Sequence, residues 1–273
     1  MSTAPSDFCF AAEKIFAAGL AESGISPVKY MVCWGEYVPD VVLIWDNPVM
    51  EVANHVHAIQ KSLSYEKGEE MPEIVLSANQ LAWALIAERE PSIISKQADV
   101  QYDFNAQKYI MQCFGQDIFV DISSYTITSD SPLGNKLLHG LGYFFDLAAL
   151  WYLGTAKNVP LAGRMISPAS LSGGEIFQRG SHVLPLYQIA AKYDGDYAGF
   201  YKRGEEVGGQ RMEYGDAALR LFPFPRVPVT IILWEADEEF PARADMFFDA
   251  TCEKHLPTDV VWSTAMTSAL VLL

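Results

Sequence analysis

The sequence predicts a mixed α+β fold, in which helices pack on a central sheet and an N-terminal accessory subdomain precedes the main domain. Two continuous apolar runs, Val41–Trp45 and Val229–Trp234, are typical of strands that are buried on both faces. The stretch Asn135–Gly154 is apolar around its whole circumference, which predicts an internal helix. Gln101–Tyr109 and Gln116–Ile127 alternate in the manner of strands, so the chain combines both element types.

Helix caps and turn residues divide the chain into predicted elements and place a domain boundary near residues 90–100, giving domains 1–92 and 93–273. The first domain is predicted to hold a helix over Asp7–Ala21, strands over Val28–Trp34 and Val41–Trp45, a helix from Asn47 to Leu63 and a helix over Ala78–Arg89, which Glu90-Pro91 ends. The second is predicted to hold the strands Gln101–Tyr109, Gln116–Ile127 and Val229–Trp234 and helical segments over Asn135–Gly154, Ile176–Tyr193, Tyr197–Val207, Ala242–His255 and Thr258–Leu273.

Composition and charge limit the classes of partner. The 273 residues are 50% apolar, which favours a globular protein over a disordered one. Asp and Glu number 34 against 19 Lys and Arg, a net charge of −15, which disfavours nucleic acid and anionic membrane surfaces as partners. The richest apolar stretch, Leu141–Leu153, is too short to span a bilayer, and the polar start Met1–Asp7 lacks a basic region. These features predict a cytoplasmic protein.

The four cysteines predict no metal centre. They lie far apart in sequence, and no pair has the spacing of a zinc or iron–sulfur site. Because each has apolar or aromatic neighbours, reduced and buried thiols are expected at Cys9, Cys33, Cys113 and Cys252.

An acidic cluster follows the second buried run. Asp237, Glu238 and Glu239 come just after Val229–Trp234, and ligands of open α/β sheets bind beyond the carboxyl ends of strands. These carboxylates could bind a cation or act as a general base, or they could form an exposed acidic turn. Arg226 lies ahead of the same strand, so we predict that Asp237 or Glu238 faces a cavity shared with Arg226.

Paired glycines are further candidates for ligand contact. Gly208-Gly209 and Gly173-Gly174 allow the backbone to approach a ligand closely, although caps and turns use glycine in the same way. Neither pair belongs to a dinucleotide or phosphate-loop pattern.

A charged residue in the apolar helix points to a second candidate pocket. Asp146 interrupts the apolar surface of Asn135–Gly154, and His139 lies two turns earlier on the same face. A carboxylate there must be paired, hydrogen-bonded, protonated or at a cavity. The alternative is that His139 is hydrogen-bonded within the core.

Two segments of the chain are similar in sequence, and either duplication of a strand–helix unit or chance explains the similarity. Val38–Asp46 and Val227–Glu235 both read Val-Pro, an apolar run, Trp and an acid. If a strand–helix unit is duplicated, both runs should be central strands with Trp45 and Trp234 mostly buried.

Several ordered motifs resemble a bacterial and archaeal family known as domain of unknown function 3786, over about residues 95–273. The resemblance rests on the following pieces: Leu150–Leu153 with Pro160–Ser167, Gly208-Gly209 with Gly215–Ala217, Phe224–Pro228, Leu233–Pro241, Phe248-Asp249 and His255–Pro257. The resemblance implies that the family shares polar or glycine residues at the following positions: Arg226, Asp237, Glu238, Glu239, Asp249, Gly208 and Gly209.

The resemblance also implies that members of the family are proteins of anaerobes, and that some of them carry an N-terminal four-cysteine iron–sulfur segment. This chain departs from that form, since residues 1–90 hold only Cys9 and Cys33. The expected function is the binding of a small molecule or cofactor in anaerobic metabolism, with the cofactor unidentified. The alternatives are an enzyme that uses the acidic cluster with Arg226 and an interaction module with protein partners but no chemistry.

Overall fold

The computed structural model describes residues 78–178 and 182–273, and this part of the chain has the predicted α+β fold. It holds eight α-helices: α1 Ala78–Ala87, α2 Pro91–Ala98, α3 Pro132–Gly140, α4 Gly142–Thr155, α5 Leu186–Tyr193, α6 Tyr197–Glu206, α7 Cys252–His255 and α8 Thr258–Leu270. Its nine strands are β1 Gln101–Asp103, β2 Lys108–Cys113, β3 Gln116–Asp121, β4 Thr126–Thr128, β5 Met165–Ile166, β6 Gln210–Met212, β7 Ala217–Phe224, β8 Val227–Trp234 and β9 Arg243–Asp249.

The first sheet is a four-stranded antiparallel meander in the order β1-β2-β3-β4. Along β2, Tyr109, Met111 and Cys113 are buried, and the residues between them are more exposed. Tyr109 pairs with Val120 and Met111 with Ile118, so one face of the sheet is apolar and buried. The prediction of strands in this region is confirmed, but a turn at residues 104–107 divides the predicted strand Gln101–Tyr109, and a turn at 122–125 divides Gln116–Ile127.

The second sheet is five-stranded and antiparallel, in the order β5-β9-β8-β7-β6. β8 lies at its centre, and every residue from Val227 to Leu233 is buried, as the apolar run predicted. Trp234, at the end of β8, is half-buried, and its Nε1 donates to the carboxylate of Asp245 at 2.8 Å. The companion run Val41–Trp45 lies outside the described residues, so duplication stays a prediction.

The predicted helix Asn135–Gly154 is two helices, α3 and α4. Leu141 separates them with φ −116° and ψ 4°, between Gly140 and Gly142, two residues that weaken a helix. The prediction of a core helix is confirmed for α4, because every residue from Leu147 to Ala156 is buried. The ring of Tyr152 stacks on Phe224 of β7 with centroids 4.9 Å apart, which fixes α4 against the larger sheet.

The predicted helix Ala242–His255 is wrong. Residues 243–249 form strand β9, followed by the short helix α7. Ala244, Met246 and Phe248 are buried and alternate with more exposed residues, a period of two that indicates a strand. The acidic cluster therefore lies in a loop between two antiparallel strands, and the rule for ligands at open parallel sheets does not apply to it.

Helix α2 was not predicted. Pro91 is the first residue of α2, where its missing N–H costs no hydrogen bond, and Glu90 before it is extended, with ψ 129°. The pair Glu90-Pro91 both ends one helix and begins the next. The segment that was interpreted as a boundary region is therefore structured, and it contributes most of the site below.

Candidate functional site

Arg226 joins three elements at the turn between β7 and β8. Its Nε donates to the carbonyl of Gln97 at 2.9 Å, and its Nη2 donates to the carbonyl of Lys96 at 3.3 Å and to Oδ1 of Asn158 at 3.1 Å. Its backbone N–H donates to the hydroxyl of Tyr152 at 3.0 Å. A cation at the C-terminal end of α2 also complements the helix dipole.

The acidic cluster lies at the other end of β8. Asp237, Glu238 and Glu239 are all exposed. The eight residues of β8 place them about 25 Å from Arg226, at roughly 3.3 Å per residue. The prediction that Asp237 or Glu238 shares a cavity with Arg226 is therefore wrong.

Asp237 shapes its own loop. Its Oδ1 accepts hydrogen bonds from the amides of Glu239 at 2.8 Å and Phe240 at 2.7 Å. These two bonds lower the pKa of Asp237, which stays ionised at neutral pH. The geometry agrees with the alternative of an exposed acidic turn.

Asp249 is buried, and both of its carboxylate oxygens accept hydrogen bonds. Its Oδ1 accepts from the amides of Ala162 and Thr251, both at 3.0 Å, and from the Thr251 hydroxyl at 2.7 Å; its Oδ2 accepts from the amide of Gly163 at 2.8 Å. Burial acts to raise its pKa, but the hydrogen bonds from Thr251, Ala162 and Gly163 outweigh it and hold the pKa below its ordinary value. Asp249 thus anchors the loop before β5.

Gly208 and Gly209 pack against backbone. Gly208 has φ +68°, and a Cβ added there would lie 2.8 Å from Cα of Gly115 in the β2–β3 turn. A Cβ on Gly209 would lie 2.8 Å from the carbonyl oxygen of Gly204. Both positions require glycine for close packing, one of the uses that the sequence left open.

His139 and Asp146 do not form a line on one helix, which corrects the prediction. His139 is exposed on α3, whereas Asp146 is half-buried on α4, and the break at Leu141 gives the two helices separate axes. Oδ1 of Asp146 is buried with no hydrogen-bond partner among the described residues. Burial raises the pKa of Asp146 to about 7.

His255, the first residue of the motif His255–Pro257, is buried. Its Nδ1 accepts a hydrogen bond from the amide of Lys157 at 3.4 Å, so the proton of the neutral ring belongs on Nε2. Burial lowers its pKa to about 4, and the nearby charge of Arg226 acts in the same direction. His255 is therefore neutral at physiological pH, and its carbonyl accepts a hydrogen bond from the hydroxyl of Thr155 in α4 at 2.7 Å.

A groove lies beside Arg226. It is an open depression with a volume of about 510 Å³, lined by Ser92, Ile93, Lys96, Gln97 and Asn158, residues of α2 and of the loop after α4. We call it the α2 groove. Its volume is in the range of small-molecule sites. Arg226 forms part of its frame, because all three acceptors of its side chain, the carbonyls of Lys96 and Gln97 and the Asn158 side chain, belong to lining residues.

Tyr152 and Arg89 hold α2 against α4. The hydroxyl of Tyr152 donates to the carbonyl of Ala98 at 2.7 Å. Arg89 donates to the carbonyl of Gly154 at 2.6 Å and to Oε1 of Gln97. The sequence pointed to Arg226 but missed the groove, since recognising it requires α2.

Within residues 78–178 and 182–273, no group of three or more His, Cys, Asp or Glu side chains is placed to hold a metal ion. Cys113 and Cys252 are free and buried, as expected, and the other two cysteines lie outside the described residues. None of the helices described has the length and apolar character needed to cross a membrane.

Comparisons with known proteins agree with the family resemblance. The model of the family described as "Domain of unknown function (DUF3786)" matches residues 90–270, which is more than half of the chain. Neither a search of curated proteins nor a search of solved structures found a match. The motif residues Gly208, Arg226 and Asp249 all lie within the matched region and hold its turns and loops together. The chain therefore belongs to the DUF3786 family.

Proposed function

We propose that this protein binds a small molecule or cofactor in the α2 groove. The observation that carries the proposal is the groove itself, an opening of about 510 Å³ whose shape is fixed by Arg226, Arg89 and Tyr152. A site held by such a network needs little reorganisation on binding, which favours affinity. The role in anaerobic metabolism is part of the proposal and rests on the family resemblance alone.

Binding without catalysis accounts for the motif residues better than an enzyme built on the acidic cluster. That enzyme would need Asp237 or Glu238 near Arg226, and the length of β8 separates them. Asp249 is buried, and both of its oxygens accept backbone amides, which assigns it a structural role in the loop before β5.

The proposal is tested by ligand retention and by a variant that blocks the groove. Full-length protein is purified without oxygen and weighed by native mass spectrometry, and a metabolite library is screened by thermal shift. Ile93, 47% exposed in the groove, is replaced by Glu; the matched control is Val183→Glu, at an apolar residue that is 50% exposed and does not line the groove. We expect a retained mass or a stabilising compound that is lost in Ile93→Glu and kept in Val183→Glu. If wild-type protein retains nothing and no compound stabilises it, or if Ile93→Glu keeps the effect, the proposal is wrong.

A protein-interaction module is the second candidate. Phe104 and Tyr125 are 74% and 62% exposed, and they lie in the β1–β2 and β3–β4 turns. Lys108 pairs with Asp121, so both turns are at the same end of the small sheet. Exposed aromatic residues are enriched in protein interfaces. Changing both residues to Ser should abolish capture of a partner protein while leaving small-molecule binding intact; unchanged capture would reject this candidate.

A further inference from the structure

We infer that the α2 groove binds its ligand through an oxyanion group, a carboxylate or a phosphate. This inference rests on the proposed function and specifies the class of ligand. It follows from which polar atoms of the groove are already engaged and from the charge around it.

The two amide side chains of the groove have their oxygens engaged by arginines. Oε1 of Gln97 accepts from Arg89, and Oδ1 of Asn158 accepts from Arg226 at 3.1 Å. An amide offers an oxygen that accepts and an NH₂ group that donates. With both oxygens engaged, the NH₂ groups of Gln97 and Asn158 are the ends left for a ligand.

The backbone acceptors near the groove are engaged as well. Arg226 donates to the carbonyls of Lys96 and Gln97, which would otherwise compete with an anion for donors. Lys96 adds an exposed ammonium group, and Ser92 adds a hydroxyl. The groove thus offers mainly donors, and an acceptor-rich group such as a carboxylate or phosphate complements them.

The charged side chains that line or frame the groove are mainly cations. The chain carries −15, yet Lys96 lines the groove, and Arg89 and Arg226 donate to the lining residues Gln97 and Asn158. Asp99 is 68% exposed and 4.0 Å from Arg226, so water weakens its effect. A positive region on an acidic protein attracts small anions selectively. Ile93 supplies an apolar contact for the body of the ligand.

The test uses pairs of compounds that differ in charge. Calorimetry on the full chain at low salt measures the binding of two pairs. The first pair is succinate and its neutral diamide, succinamide; the second is glycerol 3-phosphate and glycerol. We expect at least one anion to bind about tenfold or more tightly than its neutral partner, which corresponds to one good charge-assisted contact. If only succinate binds, the ligand group is a carboxylate, and if only glycerol 3-phosphate binds, it is a phosphate. If both bind, the groove is a general oxyanion site. Lys96→Gln should weaken that binding severalfold, whereas Lys202→Gln, an exposed lysine on α6, should not.

Three results would overturn the inference, and together they show whether the proposed function fails with it. If succinamide, glycerol or a neutral compound from the library binds in the groove and neither anion does, the anion class is wrong but small-molecule binding stands. If no compound of either kind binds wild-type protein, both statements fail. Equal binding to wild-type protein and Lys96→Gln would place the anion elsewhere and would also reject the inference.

Discussion

Oδ2 of Asp249 accepts a hydrogen bond from the backbone amide of Gly163 at 2.8 Å, although the two residues are 86 positions apart in the sequence. This bond and the bond to Ala162 connect β9 to the loop before β5. Two motifs that are distant in the family pattern are thus in direct contact, and the contact is structural. It can be tested without knowing the ligand.

Asp249→Asn should destabilise the protein by about 2 kcal/mol, because the new NH₂ group cannot accept a bond from the amide that Oδ2 now binds. Urea unfolding at pH 7 measures this, with the exposed Asp130→Asn as control. Since the folded-state pKa of Asp249 is depressed, its contribution is present above the unfolded value near 4 and is lost as pH falls below it. Equal stability of wild type and variant at pH 7 would contradict this role.

Gly208→Ala should lower the free energy of unfolding by about 2 to 4 kcal/mol. Alanine would have to adopt the left-handed backbone conformation of Gly208, and its Cβ would collide with the backbone of Gly115. Gly195→Ala is the matched control. Gly195 has φ +70°, but an added Cβ there meets no heavy atom within 4 Å, so only the conformational cost of about 1 kcal/mol applies. Thermal unfolding of both variants measures the difference. Equal losses would show that the contact with Gly115 does not matter.

Asp146→Asn should stabilise the protein at pH 8 and have little effect at pH 4. The folded-state pKa is raised to about 7, so the folded protein binds a proton that the unfolded chain releases near pH 4. Wild-type stability therefore falls as pH rises from about 4 to about 7 and is level above that range. Because Asp146 is only half-buried, we expect a gain of about 1 to 2 kcal/mol. Urea unfolding at both pH values tests this, and a loss of stability at pH 8 would indicate an ionised, paired carboxylate.

Arg226→Lys should cost about 1 to 3 kcal/mol, because an ammonium group cannot reproduce the spread of bonds to Gln97, Lys96 and Asn158. Arg164→Lys, at an exposed arginine, is the control and should be nearly neutral. The free energy of unfolding in urea measures both. An unchanged value for Arg226→Lys would mean that the turn is held by Tyr152 and packing alone.

Local pattern predicted the elements whose burial is uniform. The apolar runs of β8 and α4 identified them, because a strand or helix surrounded by protein has no polar face. Predictions failed where one residue has two structural uses. Glu90-Pro91 predicts a helix end, although Pro91 also begins α2. A different error affects residues 243–249, for which the predicted helix overlooks a buried alternation of period two.

The candidate site was less predictable, because it depends on contacts between distant segments. Arg226 was identified from its motif, but its partners Gln97 and Asn158 are 129 and 68 residues away in sequence. Sequence placed Arg226 with the acids that follow β8, whereas the length of that strand sets them apart. Nothing in the local pattern of α2 distinguishes a groove-lining helix from an ordinary surface helix.

The most direct measurement of ligand binding in the α2 groove is an NMR titration that follows side-chain amides. The NH₂ resonances of Gln97 and Asn158 are recorded in ¹⁵N-labelled full-length protein as succinate or glycerol 3-phosphate is added. We predict that both resonances shift and saturate together, while those of the exposed Asn105 and Gln210 stay in place. If Gln97 and Asn158 do not move, or move no more than Asn105 and Gln210, these compounds do not occupy the groove and the account is contradicted.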